Sequence, residues 1–242
     1  MPAIEFKNVS KIYRRHGGQR LLREHLSDWF GRNPEKDFYA LKNVSFSIQR
    51  GERVAIIGRN GAGKSTTLSL IARLSSPERG SVKISGKIAA LLELGSGFHP
   101  DLTGIENIKL NASLLGFSRK RTFALMDQIL EFADIGDFVR EPLRTFSTGM
   151  IMRLAFSVAV NLDPDVLITD EILAVGDAAF QKKCIERISE LWKSGKTLVS
   201  VSHGEMIHKL CDRAIWLNHG QLVMDGDAAE VLKAYGETQT GC

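Results

Sequence analysis

The sequence predicts an α/β fold built on a mostly parallel sheet, with a helical block set into it. Three observations predict it. Short continuous apolar runs (RVAIIG at 53–58, DVLITDE at 165–171 and TLVSVSH at 197–203) read as strands buried on both faces. Segments of helical spacing follow such runs, the alternation of a parallel α/β sheet. From about 103 to 162, helical segments follow one another with no strand between them.

The elements follow in order. AIEFKNV (3–9) and VSFSIQ (44–49) alternate as half-buried strands do, and Gly51 with Glu52 reads as a turn. RVAIIG is a buried strand, and STTLSLIARL (65–74) is the helix after it. SVKIS and KIAALLEL are two short strands around Gly86. TGIENIKLNASLLG, RKRTFALMDQILEFADI and TGMIMRLAFSVAVNL are helices. Next come the strand DVLITDE, the helix AFQKKCIERISELWKSG ending in glycine, and the strand TLVSVSH. RAIWLNHGQLVMDG (213–226) is a hairpin turning at Asn218, His219 and Gly220. A last helix follows, with Asp227 at its N-cap. The whole chain, 1–242, is expected to be one domain carrying a helical subdomain at about 95–162.

Composition narrows the function. The 242 residues are 43% apolar and 25% charged, an ordinary globular balance that argues against disorder and fibrous repeats. A net charge of +4 and a pI near 9.0 suit a surface near anionic lipid without demanding nucleic acid. Cys184, Cys211 and Cys242 are odd in number, widely spaced and without CxxC, so buried or free thiols in a reducing compartment are expected. The N-terminus has no apolar signal core, and no window approaches 18 uncharged apolar residues. Work at a membrane would need spans from another subunit.

One motif carries phosphate chemistry. Gly58-Arg59-Asn60-Gly61-Ala62-Gly63-Lys64-Ser65 satisfies GxxxxGK[ST], with a buried strand before it and a helix, continuing through Thr66, after it. Backbone N–H groups must point at phosphate oxygens, and side chains would crowd that concavity. Lys64 supplies a cation for the β- and γ-phosphates, Ser65 a hydroxyl for Mg²⁺, and the helix its N-terminal partial charge. A triphosphate nucleotide with Mg²⁺ is therefore expected.

Asp170 and Glu171 end the strand DVLITDE, where an open α/β sheet places ligand-binding groups. Asp170 suits the metal through its water shell. Glu171 is the candidate for orienting or deprotonating the attacking water. His203, ending the next strand, could reach the γ-phosphate; a structural histidine is the alternative. A second anion-seeking helix start follows Phe146: Ser147, Thr148 and Gly149 lead into an apolar helix, with Ser147 as its cap.

With these residues assembled, the chain resembles the ABC ATPase family. FSTGM stands where that family has LSGGQ, and the order agrees: phosphate loop at 58–65, signature at 146–150, acids at 170–171, then His203. The resemblance covers about residues 3–235. It implies a P-loop NTPase (RecA-like) core with a mostly parallel sheet, an antiparallel β subdomain and an inserted α-helical subdomain. It implies ATP and Mg²⁺. It also implies a head-to-tail pair in which each ATP lies between one copy's phosphate loop and the other's Ser147, Thr148 and Gly149. Tyr13 looks like the aromatic that stacks on adenine, with an edge-strand tyrosine as the alternative, and Asp177 like the aspartate that crosses the dimer.

The chain also departs from the family. Where a glutamine is usual, LLELGSGFHPDLTGIENI has none, with Glu93 nearest and Leu94 in the ungapped position. ILAVGD lacks the common proline, and Phe146 replaces a leucine. With FSTGM-x-x-RLAFSVA, DEILAVGDAAF and DGDAAEVLKAY, these features resemble the ATPase subunits that export capsular polysaccharide, O-antigen or teichoic acid. That implies a transmembrane permease as partner, no nucleic acid, and a place on the cytoplasmic face of the inner membrane. The chain's end soon after its core favours a capsule-type exporter. An ABC ATPase for another exported substrate, or one outside transport, is the alternative.

Residues 14–37 form an insertion. Leu22, Leu26, Trp29 and Phe30 share one helical face there, so an amphipathic helix over 20–30 is expected. It would meet the permease or the bilayer interface, or else pack on its own domain.

Overall fold

The computed structural model describes residues 1–14, 37–91, 95, 97–169, 177–201 and 211–240. β1 (Ile4–Arg14), β2 (Asp37–Ile48) and β4 (Arg79–Ile84) form an antiparallel sheet in the order β2-β1-β4. β3 (Arg53–Ile57), β5 (Ile88–Ala90), β6 (Val166–Thr169), β7 (Thr197–Val201), β8 (Arg213–Asn218) and β9 (Gln221–Asp227) form a second sheet, ordered β5-β6-β7-β3-β8-β9. All its neighbours are parallel except β8 and β9, the predicted hairpin. The mostly parallel sheet expected from the apolar runs is present.

The described helices are α1 (Lys64–Ile71), α2 (Gly104–Leu114), α3 (Arg119–Ala124), α4 (Met126–Ala133), α5 (Thr148–Asn161), α6 (Ala178–Lys193) and α7 (Ala228–Thr240). Helices α2 to α5 lie between β5 and β6 in the chain, so the helical block interrupts the parallel sheet's sequence.

The continuous apolar runs are explained by burial on two sides. Alternate residues of a strand face opposite ways. Val54, Ile56, Val166, Ile168, Val199 and Val201 pack with Leu68 and Ile71 of α1 and with Ile4, Phe6, Phe46 and Ile48 of the antiparallel sheet. Ala55, Ile57, Leu167 and Leu198 pack the other way, against Phe156, Phe180, Ile188 and Val231. A third core holds the helical block together through Ile108, Ile129, Phe146, Leu154 and Val158. Helix α5 belongs to two cores at once, with Phe156 toward the sheet and Leu154 toward the block. That accounts for its being apolar almost all round.

Three details depart from the sequence reading. The segment RKRTFALMDQILEFADI is two helices. Its break falls at Leu125, whose N–H is shared between the carbonyls of Arg121 (3.2 Å) and Thr122 (3.3 Å) while its side chain is buried. β4 and β5 flank Gly86 as expected but join different sheets. β1 and β2 run longer than their alternation suggests, with Arg14 opposite Asp37 as the last registered pair, and residues 15–36 join them. The helix expected at 20–30 lies outside the described residues. Among the described residues no helix is long and apolar enough to cross a membrane.

Helix α2 begins with a reciprocal cap. The Thr103 hydroxyl accepts from the Glu106 N–H (3.2 Å), and the Glu106 carboxylate accepts from the Thr103 N–H (2.9 Å). Thr103→Ala should cost about 1 kcal/mol in urea unfolding. The Thr103 N–H and hydroxyl hold the Glu106 carboxyl below its ordinary range. The lowered group binds its proton less readily when folded. Its contribution is therefore present above the ordinary carboxylate range and is lost as pH falls through the lowered folded value. The gap between wild type and variant should narrow at acid pH.

Cys184 and Cys211 are free and buried, and burial pushes both thiols up to about 12. The thiolate is the reactive form. Both should resist alkylation at pH 8, by peptide mass mapping, and react once the chain is unfolded. Reaction in the native state would contradict this packing.

Candidate functional site

The phosphate loop grows out of a central strand of the second sheet. β3 lies between β7 and β8, and its carboxyl end releases Gly58. Gly58 has φ 147°, and a Cβ there would stand 2.2 Å from the Leu217 carbonyl oxygen and 2.9 Å from the Ala62 Cβ. Gly63, at φ 105°, would place a Cβ 2.6 Å from the Ala40 oxygen. Only glycine fits these two positions.

Other segments brace the loop from behind. The Gly220 N–H donates to the Ala62 carbonyl (3.0 Å), and the Lys42 N–H to the Gly220 carbonyl (2.8 Å). The β8–β9 turn and β2 thus hold the loop's back. Arg59, Asn60 and Gly61 are exposed on its open side. Thr67, which sequence reasoning passed over, buries its hydroxyl on the Gly63 carbonyl (2.9 Å) and pins the helix start. A fully buried threonine one turn inside a helix has no distinctive signal in a sequence.

The N-terminus of α1 is prepared for an anion. It starts at the left-handed Gly63 with no side-chain cap and no acidic residue in its first turn. α2, α3, α5 and α6 each begin with a side-chain cap, from Thr103, Ser118, Ser147 and Asp177. Asp227 does the same for α7, as expected, accepting from the N–H groups of Ala229 (2.9 Å) and Glu230 (3.3 Å). First-turn N–H groups without a side-chain acceptor fit an external phosphate. Lys64 is 7% exposed, and its Nζ donates to the carbonyls of Gly58 (2.7 Å) and Arg59 (3.1 Å). Ser65 is exposed in the first turn of α1, and Thr66 beside it is half-buried.

The sheet order also sets where the acidic pair and the histidine begin. β6, β7 and β3 are parallel neighbours, with Thr169 opposite Ser200 and Val201 opposite Ile56. The carboxyl ends of these three strands therefore open on one edge, the edge that carries the phosphate loop. Asp170 and Glu171 follow β6, and His203 follows β7, so the chain enters each segment from that edge. Asp170, Glu171 and His203 themselves lie outside the described residues, as do Glu93 and Leu94.

At the second helix start, the Ser147 hydroxyl accepts from the Met150 N–H (3.2 Å), and Ser147, Thr148 and Gly149 are all exposed. Phe146 is buried in the helical core, so a large apolar group suffices where a leucine is usual. The stretch before it is clasped to residues 100–103. Leu143 N–H donates to the Leu102 carbonyl and Arg144 N–H to the Pro100 carbonyl, both at 2.9 Å, and Arg144 pairs with Asp101. Asn107, fully buried, fastens the same loop through the His99 N–H (2.7 Å) and the carbonyls of His99, Leu102 and Thr103.

Tyr13 lies near the end of β1, 45% exposed, directly opposite Phe38, which is 41% exposed. Cross-strand partners share a face, so two partly open aromatic residues occupy the same face of the sheet at this end. The Lys11 ammonium lies 5.4 Å from the Tyr13 ring. Asp177 caps α6 by accepting from the Phe180 N–H (2.9 Å) and pairs with Arg153 (2.6 Å). Those two contacts hold its carboxyl below the ordinary range, the Phe180 N–H most strongly.

The chain thus combines a phosphate loop braced on both sheets with an exposed serine-led helix start further along. A model of the ABC transporter family matches residues 41–174. This chain belongs to that family. The likeness to named ABC proteins runs nearly end to end. It is 45% identical over 239 residues, 97% of each chain, to the O-antigen export system ATP-binding protein RfbB of Klebsiella pneumoniae. It is 41% identical over 237 residues to the teichoic acids export ATP-binding protein TagH of Listeria innocua, covering 97% of this chain and 70% of that one. Among solved structures it matches a dimeric post-hydrolysis state of the ATP-binding cassette MJ0796 bound to ADP and Pi. There the TM-score is 0.70 at 25% identity, over 93% of this chain and 98% of that one. An ABC ATPase works on ATP with Mg²⁺. The uncapped start of α1, the glycines that admit no Cβ and the exposed Ser65 fit that pair.

Proposed function

We propose that this chain is the ATP-hydrolysing subunit of an exporter of cell-surface polysaccharide. It works as two copies beside a membrane-spanning permease, on the cytoplasmic face of the inner membrane. The observation that carries this reading is 45% identity, across 97% of both chains, with an O-antigen export ATP-binding protein. Similarity to a teichoic acid counterpart supports a polysaccharide as the cargo class. Chain length does not separate capsule from O-antigen export, because that O-antigen relative has nearly the same length.

The residues divide the work as follows. The N–H groups of residues 58–66 and the Lys64 ammonium receive the phosphates of ATP. Tyr13 offers its face to adenine. Ser65 and Asp170 hold Mg²⁺, which neutralises charge on the phosphoryl oxygens. Glu171 orients and deprotonates the attacking water, and His203 steadies the γ-phosphate. The second copy closes the site with Ser147, Thr148 and Gly149, whose exposed helix start meets the phosphate from the far side. The chain acts as one nucleotide-binding domain, with the helical subdomain at about 95–162 as the part that closes. The helix at 20–30 offers its apolar face to the permease or bilayer.

Deleting the gene in its host tests the reading. Surface polysaccharide should disappear and lipid-linked polymer should accumulate inside. The wild-type gene should restore export, and a Lys64→Ala copy should not. Unchanged surface polymer would overturn the reading, and co-purification with nucleic acid instead of a membrane protein would favour an ABC ATPase outside transport.

A further inference from the structure

Among the described residues, one side chain, Arg153, joins two polar helix starts, α5 at Ser147 and α6 at Asp177. Arg153 lies in the second turn of α5 and is 20% exposed. Its Nη2 donates to Asp177 Oδ2 at 2.6 Å. Its Nη1 stands 3.6 Å from Asp134 Oδ2, on the left-handed residue that ends α4. The guanidinium carbon lies 4.9 Å from the centre of the Phe180 ring. Asp177 uses its other oxygen, Oδ1, to accept the Phe180 N–H and cap α6. One cation therefore contacts α5, the end of α4, the cap of α6 and the residue that donates to that cap.

The rest of this junction cannot do the same job. Phe132, Phe156 and Phe180 pack as a trio with centroids 5.7 to 6.1 Å apart. Apolar packing resists separation but is non-directional. A charge-assisted hydrogen bond from a planar fork fixes direction as well as distance. Lys183 supplies a second tie, from α6 to the last carbonyls of α4 at Glu131 (3.2 Å) and Phe132 (3.1 Å), but it does not reach α5 or Asp177.

We propose that Arg153 is a positioning residue for the two-copy ATP site: it fixes the exposed start of α5, with Ser147 to Gly149, relative to the start of α6 at Asp177, so that both meet the second copy as one edge. This rests on the two-copy reading of the site. Among the described residues, the Arg153 side chain contacts Asp177, Asp134 and Phe180, none of them in the phosphate loop. Its loss acts on turnover after ATP has bound.

Turnover and nucleotide affinity, measured separately, test it. Arg153→Ala should bind a fluorescent ATP analogue within about two-fold of wild type, while kcat at saturating ATP falls about ten-fold or more. Arg153→Lys, which keeps the charge and loses the fork, should recover part of the rate. Asp177→Asn should lower kcat similarly, and the double variant should lose no more than the worse single. Wild-type turnover in Arg153→Ala, or losses that multiply in the double variant, would overturn the proposal. If Arg153→Ala does not fold, the rates of Arg153→Lys and Asp177→Asn decide: a lowered kcat with intact binding supports it, and wild-type rates end it. Wild type and Lys64→Ala run alongside. A wild-type chain with no ATPase activity sinks the two-copy reading and this inference together, whereas normal wild-type turnover with an unaffected Arg153→Ala sinks this inference alone.

Discussion

Replacing Lys64 with alanine should abolish measurable ATP turnover and weaken nucleotide binding about 100-fold or more. Of the motif's two side-chain cations, Arg59 is exposed and the Lys64 ammonium is the buried one. It stands in a 7% exposed position against the loop's own carbonyls, where water competes poorly. A charged hydrogen bond in such a place is worth about 1.5–3 kcal/mol, and losing two such contacts exceeds the 100-fold mark. The substitution also leaves the Gly58 and Arg59 carbonyls without that donor, so a modest fall in melting temperature is expected too. Ligand-linked stability separates the two effects. ATP with Mg²⁺ should raise the melting temperature of wild type and leave that of Lys64→Ala unmoved. A normal upward shift in the variant would mean that nucleotide is held elsewhere.

Glu171→Gln should behave in the opposite way at the binding step. Glutamine keeps the shape of the side chain but cannot take a proton. ATP should bind with near wild-type affinity while kcat falls about 10²–10⁴-fold, the span of general-base contributions. Slow hydrolysis leaves the closed pair intact, so ATP-dependent dimers should accumulate on size-exclusion chromatography. Wild-type turnover in this variant would remove Glu171 from the water-activating role. Monomers that stay monomers with ATP would count against a shared site.

The parts of this molecule that are legible in the sequence are those whose signals are local. RVAIIG needs both faces buried, so a strand at the centre of a parallel sheet announces itself. The turn at His219 and Gly220, both at positive φ, is written in residues that tolerate that backbone. Asp227 and Ser147 are readable as caps because short polar side chains just before apolar helices satisfy the first free N–H groups. The rest depends on contacts between distant segments. Nothing in RKRTFALMDQILEF marks Leu125 as a break, because α3 and α4 meet different neighbours. Nothing in SVKIS and KIAA says that one strand joins the antiparallel sheet and the other the parallel one. The contact of Arg153 with Asp177 joins residues on two helices with a strand between them, and no periodicity reports it.

The brace behind the phosphate loop carries one more consequence. Its parts come from β2, ahead of the motif, and from the turn between β8 and β9, near the far end of the chain. A fragment stopping before residue 213 would own every letter of GxxxxGKS, yet Gly58 would have lost its wall at Leu217 and Ala62 its hydrogen-bonded backing at Gly220. The motif is thus not a portable cassette: its grip on nucleotide is a property of a closed circuit of chain that only the last hairpin completes.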